Sequence, residues 1–345
     1  MEKSIGVVTN MENDRTVDIL RVIAIISIMI THSNPNTSIN QIVAYDITLM
    51  VLLIGVSFYL YYQEKRIHYM YYIKNQFNKI VIPTWIFLTI FFILFYIISL
   101  IMNDSYYFNN LDWIHFIFVY LMVGNIEYIW IVKVFFLVSI FSPLLFSLSN
   151  KIKSNKLYLL ILLIGFLLYY FLLQYNYDFS NGNYQLLFQH FVMHPFGFSL
   201  IVALGIRLKK LKTREIILVC VFCFIVYFLL LVWNRFSSTQ YDRYLPTLYY
   251  FSYGLFSSLL LYLFVQIKGV QKLWRNKFVI FVSENVIWLF LWHLIPIYIL
   301  KFTDLGTSIG EEHFLTRLLF IFGTAILLTF IQTRFSIGRK SSRAM

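Results

Sequence analysis

The sequence predicts an all-α fold: a polytopic transmembrane helical bundle of about ten spans plus one short re-entrant or interfacial helix. Its 345 residues are 60% hydrophobic and only 13% charged, against about 45–50% apolar and about 25% charged in a soluble domain. The mean hydropathy is +0.73. The apolar residues gather in runs of about 20, the length that crosses a hydrocarbon core about 30 Å thick.

Those runs lie near 17–32, 42–62, 80–102, 127–148, 157–175, 186–206, 215–233, 247–267, 278–300 and 314–333. An eleventh apolar piece, 111–124, carries Asp112, Trp113 and His115 and is about 14 residues long, too short to span. Loop charge supports that choice. With ten spans both termini share a side, and that side collects 22 of the 28 Lys and Arg. The opposite side has 3, and Arg21, Lys133 and Arg317 lie within spans. If 111–124 crossed, every later loop would change sides and the bias would collapse. The positive-inside rule therefore puts both termini in the cytoplasm and 111–124 at the outer face. Residues 1–16 read as a cytoplasmic segment, 17–333 as one transmembrane domain and 334–345 as a basic cytoplasmic tail. The first run has no small-residue cleavage site after it and reads as a retained span. Pro143, Pro195 and Pro296 lie inside spans, where each is expected to kink its helix.

The formal net charge of +12 does not imply nucleic acid, because no basic stripe with interleaved aromatics stands outside the membrane. Cys220 and Cys223 form a C-x-x-C pair inside an apolar run. That placement suits packing thiols rather than an exposed redox motif.

The first span is the anomaly. The stretch 17–33 holds Asp18, Arg21 and His32. Arg21 and His32 are eleven residues apart, about three turns plus 20° and about 16 Å, and with Asp18 one turn before Arg21 they share one stripe. Ionisable groups at membrane depth usually face a protein interior or a water-filled cavity and mark a site. Counting 1.5 Å per residue, His32 and His293 both lie about 22 Å from the cytoplasmic start of their spans. His190, His194 and Lys133 sit about 6–12 Å below the outer edge, Lys133 on a span that opens with Glu127, Tyr128 and Trp130. Five polar side chains thus converge on the outer half, and Asp18 and Arg21 stand near the inner edge. His32 and His293 are the candidate catalytic pair, since imidazole is the usual general base near neutral pH. His190 and His194 sit at i and i+4, but no Cys, Asp or Glu at ligand spacing joins them, so no metal site is expected. Lys133 is expected to pair with Glu127 or a backbone carbonyl.

On these residues the chain resembles the membrane acyltransferase-3 family, bacterial enzymes that O-acylate surface glycans. The family's opening, a basic residue, then Asp-x-Leu-Arg and a His eleven residues after the Arg, reads here as Arg15, Asp18, Leu20, Arg21 and His32. Its R-x-x-R-I-x-x-P window reads Gln76, Lys79, Ile80 and Pro83, and its W-F-L start with a later Pro reads Trp130, Ile131, Val132 and Pro143. Its late Ser-to-His run reads Ser283, Val286, Ile287, Leu289, Phe290, Leu291, Trp292 and His293, with Pro296 displaced. The usual Ser-Gly of the second span reads Gly55-Val56. The short chain is most similar to the glycan-modifying members.

The resemblance implies an acetyl or succinyl group moved from cytosolic acyl-CoA to a hydroxyl of a surface or lipid-linked polysaccharide. It implies a multi-pass protein of the bacterial cytoplasmic membrane with no tightly bound cofactor. Arg21, Lys79 and the basic loop 63–79 suit the phosphates of CoA. His32 is expected as general base or acyl relay, with His293 orienting it. Lys133 or Tyr128 would face the developing oxyanion, and Asp18 would hold the Arg21 fork. Trp130 and His194 complete the expected binding set. An exporter of polysaccharide without covalent chemistry is the rival reading, though it should place polar groups along several helices at the midplane. An assembly partner in a glycan synthase complex is a third reading with no specific mark.

Overall fold

The computed structural model describes residues 15–102, 113–123, 126, 128–177, 185, 187–274, 276–303, 305–306 and 313–335. Among the described residues the regular structure is helical. Eight helices are long and apolar enough to cross a membrane, and a bent pair makes a ninth. The chain starts with α1 (Thr16–Thr31), α2 (Thr37–Val43) and α3 (Asp46–Tyr62). Next, α4 (Tyr69–Gln76) runs through a π turn, Phe77–Val81, into α5 (Ile82–Met102), followed by α6 (Trp113–Tyr120), α7 (Trp130–Lys151) and α8 (Asn155–Tyr177). A second π turn, Gln189–Met193, opens α9 (His194–Leu208), and α10 (Thr213–Trp233) and α11 (Leu248–Val265) follow. The rest is α12 (Lys268–Leu273), α13 (Lys277–Glu284), α14 (Val286–Trp292), α15 (Leu294–Phe302) and α16 (Phe314–Phe335).

Sixteen residues make α1 only about 24 Å long, and ten of them are buried. Ile19, Leu20, Val22 and Ile25 have no exposed surface. It packs on α3, α11 and α13. The spans built on α3 and α9 are each 72% buried, whereas those of α8, α10 and α16 are 17% buried and turn their Leu, Ile and Phe outward. Lipid tails are as apolar as Leu, so helices in a bilayer associate by close packing rather than by hydrophobic exclusion. The α3–α9 contact shows the device: a Cβ on Gly55 would collide with the Val202 carbonyl, and one on Gly205 with the Leu52 carbonyl. Only glycine at both positions lets these backbones touch.

The prolines act differently from expectation. Through Pro143, α7 continues as one helix. The carbonyl that this proline leaves unpaired, on Ser139 four residues back, instead accepts a hydrogen bond from the Tyr72 hydroxyl at 3.0 Å. Pro83 and Pro195 each follow a π turn, which widens the helix just where the ring would clash. The expected kink at Pro296 is overtaken by a 74° break between α13 and α14. It falls at Asn285 (φ −115°, ψ 20°), whose side chain donates back to the Phe281 carbonyl at 2.8 Å. The span 278–300 is therefore not one straight helix, and the depth of His293 cannot be counted along it. A second interruption places His293 itself between α14 and α15.

The short α6 lies against α5: Trp85 Nε1 donates to the Tyr120 carbonyl at 2.9 Å, and Phe92 meets Phe116 at 4.8 Å. Asp112, Glu127 and the His115 side chain fall outside the described residues.

Candidate active site

His32 is the residue at which α1 ends; its backbone N–H still closes on the Ile28 carbonyl at 3.1 Å. From there its ring meets His293 edge to edge, with Nδ1 of His32 2.8 Å from Nε2 of His293, the centroids 5.0 Å apart and the ring planes within 12° of each other. His293 is fully buried, and its Nδ1 is hydrogen-bonded to the Phe290 carbonyl of α14. A carbonyl oxygen only accepts, so Nδ1 of His293 carries the hydrogen and its Nε2 offers a lone pair. Nδ1 of His32 must then donate into that lone pair, which leaves Nε2 of His32 as a free base. The break in the last long span is what brings the Phe290 carbonyl and His293 into this register.

Tyr128 covers one face of His32, with ring centroids 3.7 Å apart and the planes tilted by 31°. Its backbone has φ 74°, a conformation that non-glycine residues adopt at a cost of about 1–3 kcal/mol. His32, Tyr128 and Trp130 line a cleft with about 310 Å³ of empty space, together with Asp46, Arg243 and Tyr244. Asp46 and Arg243 are buried and paired, Arg243 Nη2 lying 3.4 Å from Asp46 Oδ1. The Asp46 carboxylate also accepts from its neighbour's N–H at Ile47 (2.7 Å) and from Thr31 Oγ1 (3.1 Å), the residue before His32. Burial opposes the Arg243 charge, but Asp46 and the tyrosines around it more than offset this and raise its pKa. Nε and Nη2 of Arg243 are buried and make no hydrogen bond among the described residues, Nη2 being held opposite Asp46 by charge.

Trp130 joins this cleft to a second polar group. Its ring is 5.0 Å from His194, whose Nε2 donates to the Tyr244 carbonyl at 2.7 Å. Lys133 lies one turn further along α7 but does not line the cleft with His32, contrary to its expected oxyanion role. Among the described residues it pairs with no backbone carbonyl either, its Nζ being buried without a hydrogen-bond partner there.

At the other end of α1, Arg21 is half-buried, and its Nη2 donates to Ser57 Oγ of α3 at 2.8 Å. The expectation that Asp18 holds the Arg21 fork is not met. Asp18 faces Arg15 at 3.5 Å and accepts from Ser283 Oγ of α13 at 2.6 Å. On the helix surface Arg15 and Asp18 are three apart, as are Asp18 and Arg21, and the outer member wins. Lys79 is exposed on the first π turn. A cleft with about 530 Å³ of empty space opens beside Arg15, lined also by Trp274, Asn276 and Lys277.

The structure therefore joins His32 to His293 and Tyr128, and groups Trp130, His194 and Lys133 beside them. It keeps Asp18 and Arg21 separate, about 16 Å along α1 from His32. Asp46, Arg243 and Tyr244 are site residues that the sequence reading missed. Asp46 left a signal: it is the sole charged residue in 42–62, and a carboxylate inside an apolar run requires a buried partner.

Comparison with known families places the chain. The acyltransferase-3 family model, described as an acyltransferase domain, matches residues 14–333, and the protein belongs to that family. It is a membrane enzyme that transfers acyl groups other than aminoacyl groups. No curated protein and no solved structure matches it.

Proposed function

We propose that the protein moves an acetyl or succinyl group from cytosolic acyl-CoA to a hydroxyl of a surface or lipid-linked polysaccharide, with His32 as general base. The observation that carries this reading is the His32–His293–Phe290 chain, which leaves Nε2 of His32 unprotonated and aimed from a fixed ring. Nε2 takes the proton of an acceptor hydroxyl, and the hydroxyl oxygen attacks the thioester carbonyl. The negative charge that develops on the carbonyl oxygen is met by the Arg243 guanidinium, which lines the cleft and whose position is fixed by Asp46. Collapse of the tetrahedral intermediate forms the ester and expels the CoA thiolate, which recovers the proton from His32. His293 never changes charge: it accepts from Nδ1 of His32 throughout and holds the ring.

The charge count of the loops favours the Arg21 end as the cytoplasmic one, in the bacterial cytoplasmic membrane. Arg21, Arg15 and Lys277 there supply cations for the donor's phosphates, with Lys79 on the π turn between α4 and α5. The pantetheine arm then has about 16 Å of α1 to follow to His32.

A deletion strain complemented with wild type or His32→Ala tests the proposal. Mass spectrometry of the surface glycan should find ester-linked acyl groups restored by the wild type alone, with glycan at the surface in both. Wild-type acylation in the mutant would overturn the role of His32. Glycan retained inside the deletion strain would mean export.

A further inference from the structure

Beside the cleft, three polar atoms are buried and have no hydrogen-bond partner among the described residues: Lys133 Nζ, His190 Nδ1 and His194 Nδ1. Lys133 is 4% exposed and His194 1%. They come from two elements. Lys133 stands one turn into α7, while His190 and His194 flank Phe191 across the second π turn, their rings edge-on at 5.2 Å. Lys133 Nζ lies 5.1 Å from the centre of the Phe191 ring. An ammonium over a ring face gains about 0.5–2 kcal/mol, well short of the several kcal/mol lost on burying an ion. Among the described residues no anion faces this amine, so it keeps its charge there only when a ligand supplies one.

The two histidines define what else the ligand must offer. Because Nε2 of His194 donates to the Tyr244 carbonyl, its Nδ1 carries a lone pair and can only accept. The ligand therefore brings an oxyanion for Lys133 and a hydroxyl for His194. Direction comes from Trp130, which touches His194 on one side and lines the His32 cleft on the other; an indole face is a natural platform for a sugar ring. The source comes from the opposite flank, where Leu187, Phe191 and Val192 are 45%, 46% and 42% exposed and face lipid in a spanning bundle.

We propose that Lys133, His190 and His194 bind the phosphate and first hydroxyls of a lipid-borne glycosyl phosphate. The phosphate sits at Lys133, the sugar runs over Trp130, and an acceptor hydroxyl reaches Nε2 of His32. The proposal deepens the acyl-transfer reading by naming the acceptor's anionic group, and it rests on that reading for the hydroxyl's fate alone.

Equilibrium binding to the full-length purified protein tests it without any acyl transfer, so its failure is separable from failure of the chemistry. The probes are a short-chain prenyl phosphoryl hexose, the matching prenyl hexoside without phosphate, hexose 1-phosphate, and short-chain phosphatidylglycerol. Wild type should bind the prenyl phosphoryl hexose at least tenfold more tightly than the neutral hexoside. Lys133→Met should erase that difference while keeping an unfolding temperature at or above wild type, since it removes an unpaired charge. Lys133→Arg should retain the difference, which guards against a fold defect in the first variant. Equal affinity for the charged and neutral probes, or a difference that survives in Lys133→Met, overturns the site. Hexose 1-phosphate binding as tightly as the prenyl form overturns the lipid-borne assignment. Phosphatidylglycerol binding as tightly points to a phospholipid headgroup and overturns the acceptor assignment.

Discussion

The two ends of α1 hold their ionisable side chains by different means. At the His32 end the partners are rigid: a backbone carbonyl fixes His293, His293 fixes His32, and the Tyr128 ring covers a face of His32. Asp46, anchored by Thr31 and the Ile47 N–H, fixes Arg243 in turn. At the Arg21 end the partners are hydroxyls, Ser57 for Arg21 and Ser283 for Asp18, with the part-exposed Arg15 guanidinium also 3.5 Å from Asp18. A carbonyl in a helix or an aromatic plane does not move when a ligand arrives, whereas a serine hydroxyl rotates freely about its Cα–Cβ bond. Rigid partners suit a base and an oxyanion donor, which must meet a transition state in fixed geometry. Rotatable ones suit a site that must release one ligand and take another. On this comparison, changes at the His32 end should lower kcat, and changes at the Arg21 end should raise the KM for the donor.

The largest effect is expected at His32. His32→Ala should lower acyl transfer by about 10²–10⁴-fold, the range that a positioned general base supplies. The donor KM should stay close to wild type. Thioester turnover in proteoliposomes measures both.

Arg243 comes next and separates charge from geometry. Arg243→Lys keeps a cation opposite Asp46 but loses the planar fork, so kcat should fall by about 10²-fold with the fold intact. Arg243→Leu leaves Asp46 buried and unpaired and should cost about 3–5 kcal/mol of stability, visible as a drop in unfolding temperature. A lysine variant with full activity would remove Arg243 from the oxyanion role.

His293→Phe is smaller in effect. It keeps a ring of similar size but removes the lone pair that orients His32, and loss of such a support typically lowers activity about 10–100-fold. A KM change of the same size as the kcat change would instead indicate a collapsed cleft.

How much of this was legible in the sequence follows from which interactions are local. The spans, the short α6 and the stripe of Asp18, Arg21 and His32 all follow from hydropathy and a 3.6-residue period, which act within one helix. The meeting of His32 with His293 was approached by matching depths, yet those depths assumed a straight span, and the 74° break at Asn285 removes that premise. Asp46 and Arg243 were missed because a loop arginine counts as a topology signal until the fold carries it down to a buried carboxylate. Asp18 was assigned to Arg21 when Arg15, equally spaced on the other side, competes for the same carboxylate. Spacing offered two partners, and only the packing of α3 and α13 around α1 chose between them.

The smallest effects test the Arg21 end, and they do so as a pair. Ser57→Ala removes the hydroxyl to which Arg21 donates at 2.8 Å. A hydrogen bond to a charged group contributes about 1.5–3 kcal/mol, but Arg21 is half-buried and water can replace part of it. The donor KM should therefore rise about threefold to tenfold, below the full range of that principle, with kcat unchanged. Asp18→Asn keeps an oxygen for Ser283 and loses the charge that faces Arg15. That pair is separated by 3.5 Å, with side chains 28% and 30% exposed, and pairs of this kind contribute about 0–1 kcal/mol. The donor KM should change by less than about twofold. If Asp18→Asn raises the KM as much as Ser57→Ala does, the carboxylate acts on Arg21 across space after all. The Arg21 end would then be electrostatically fixed like the His32 end, and the contrast between rigid and rotatable partners would fail.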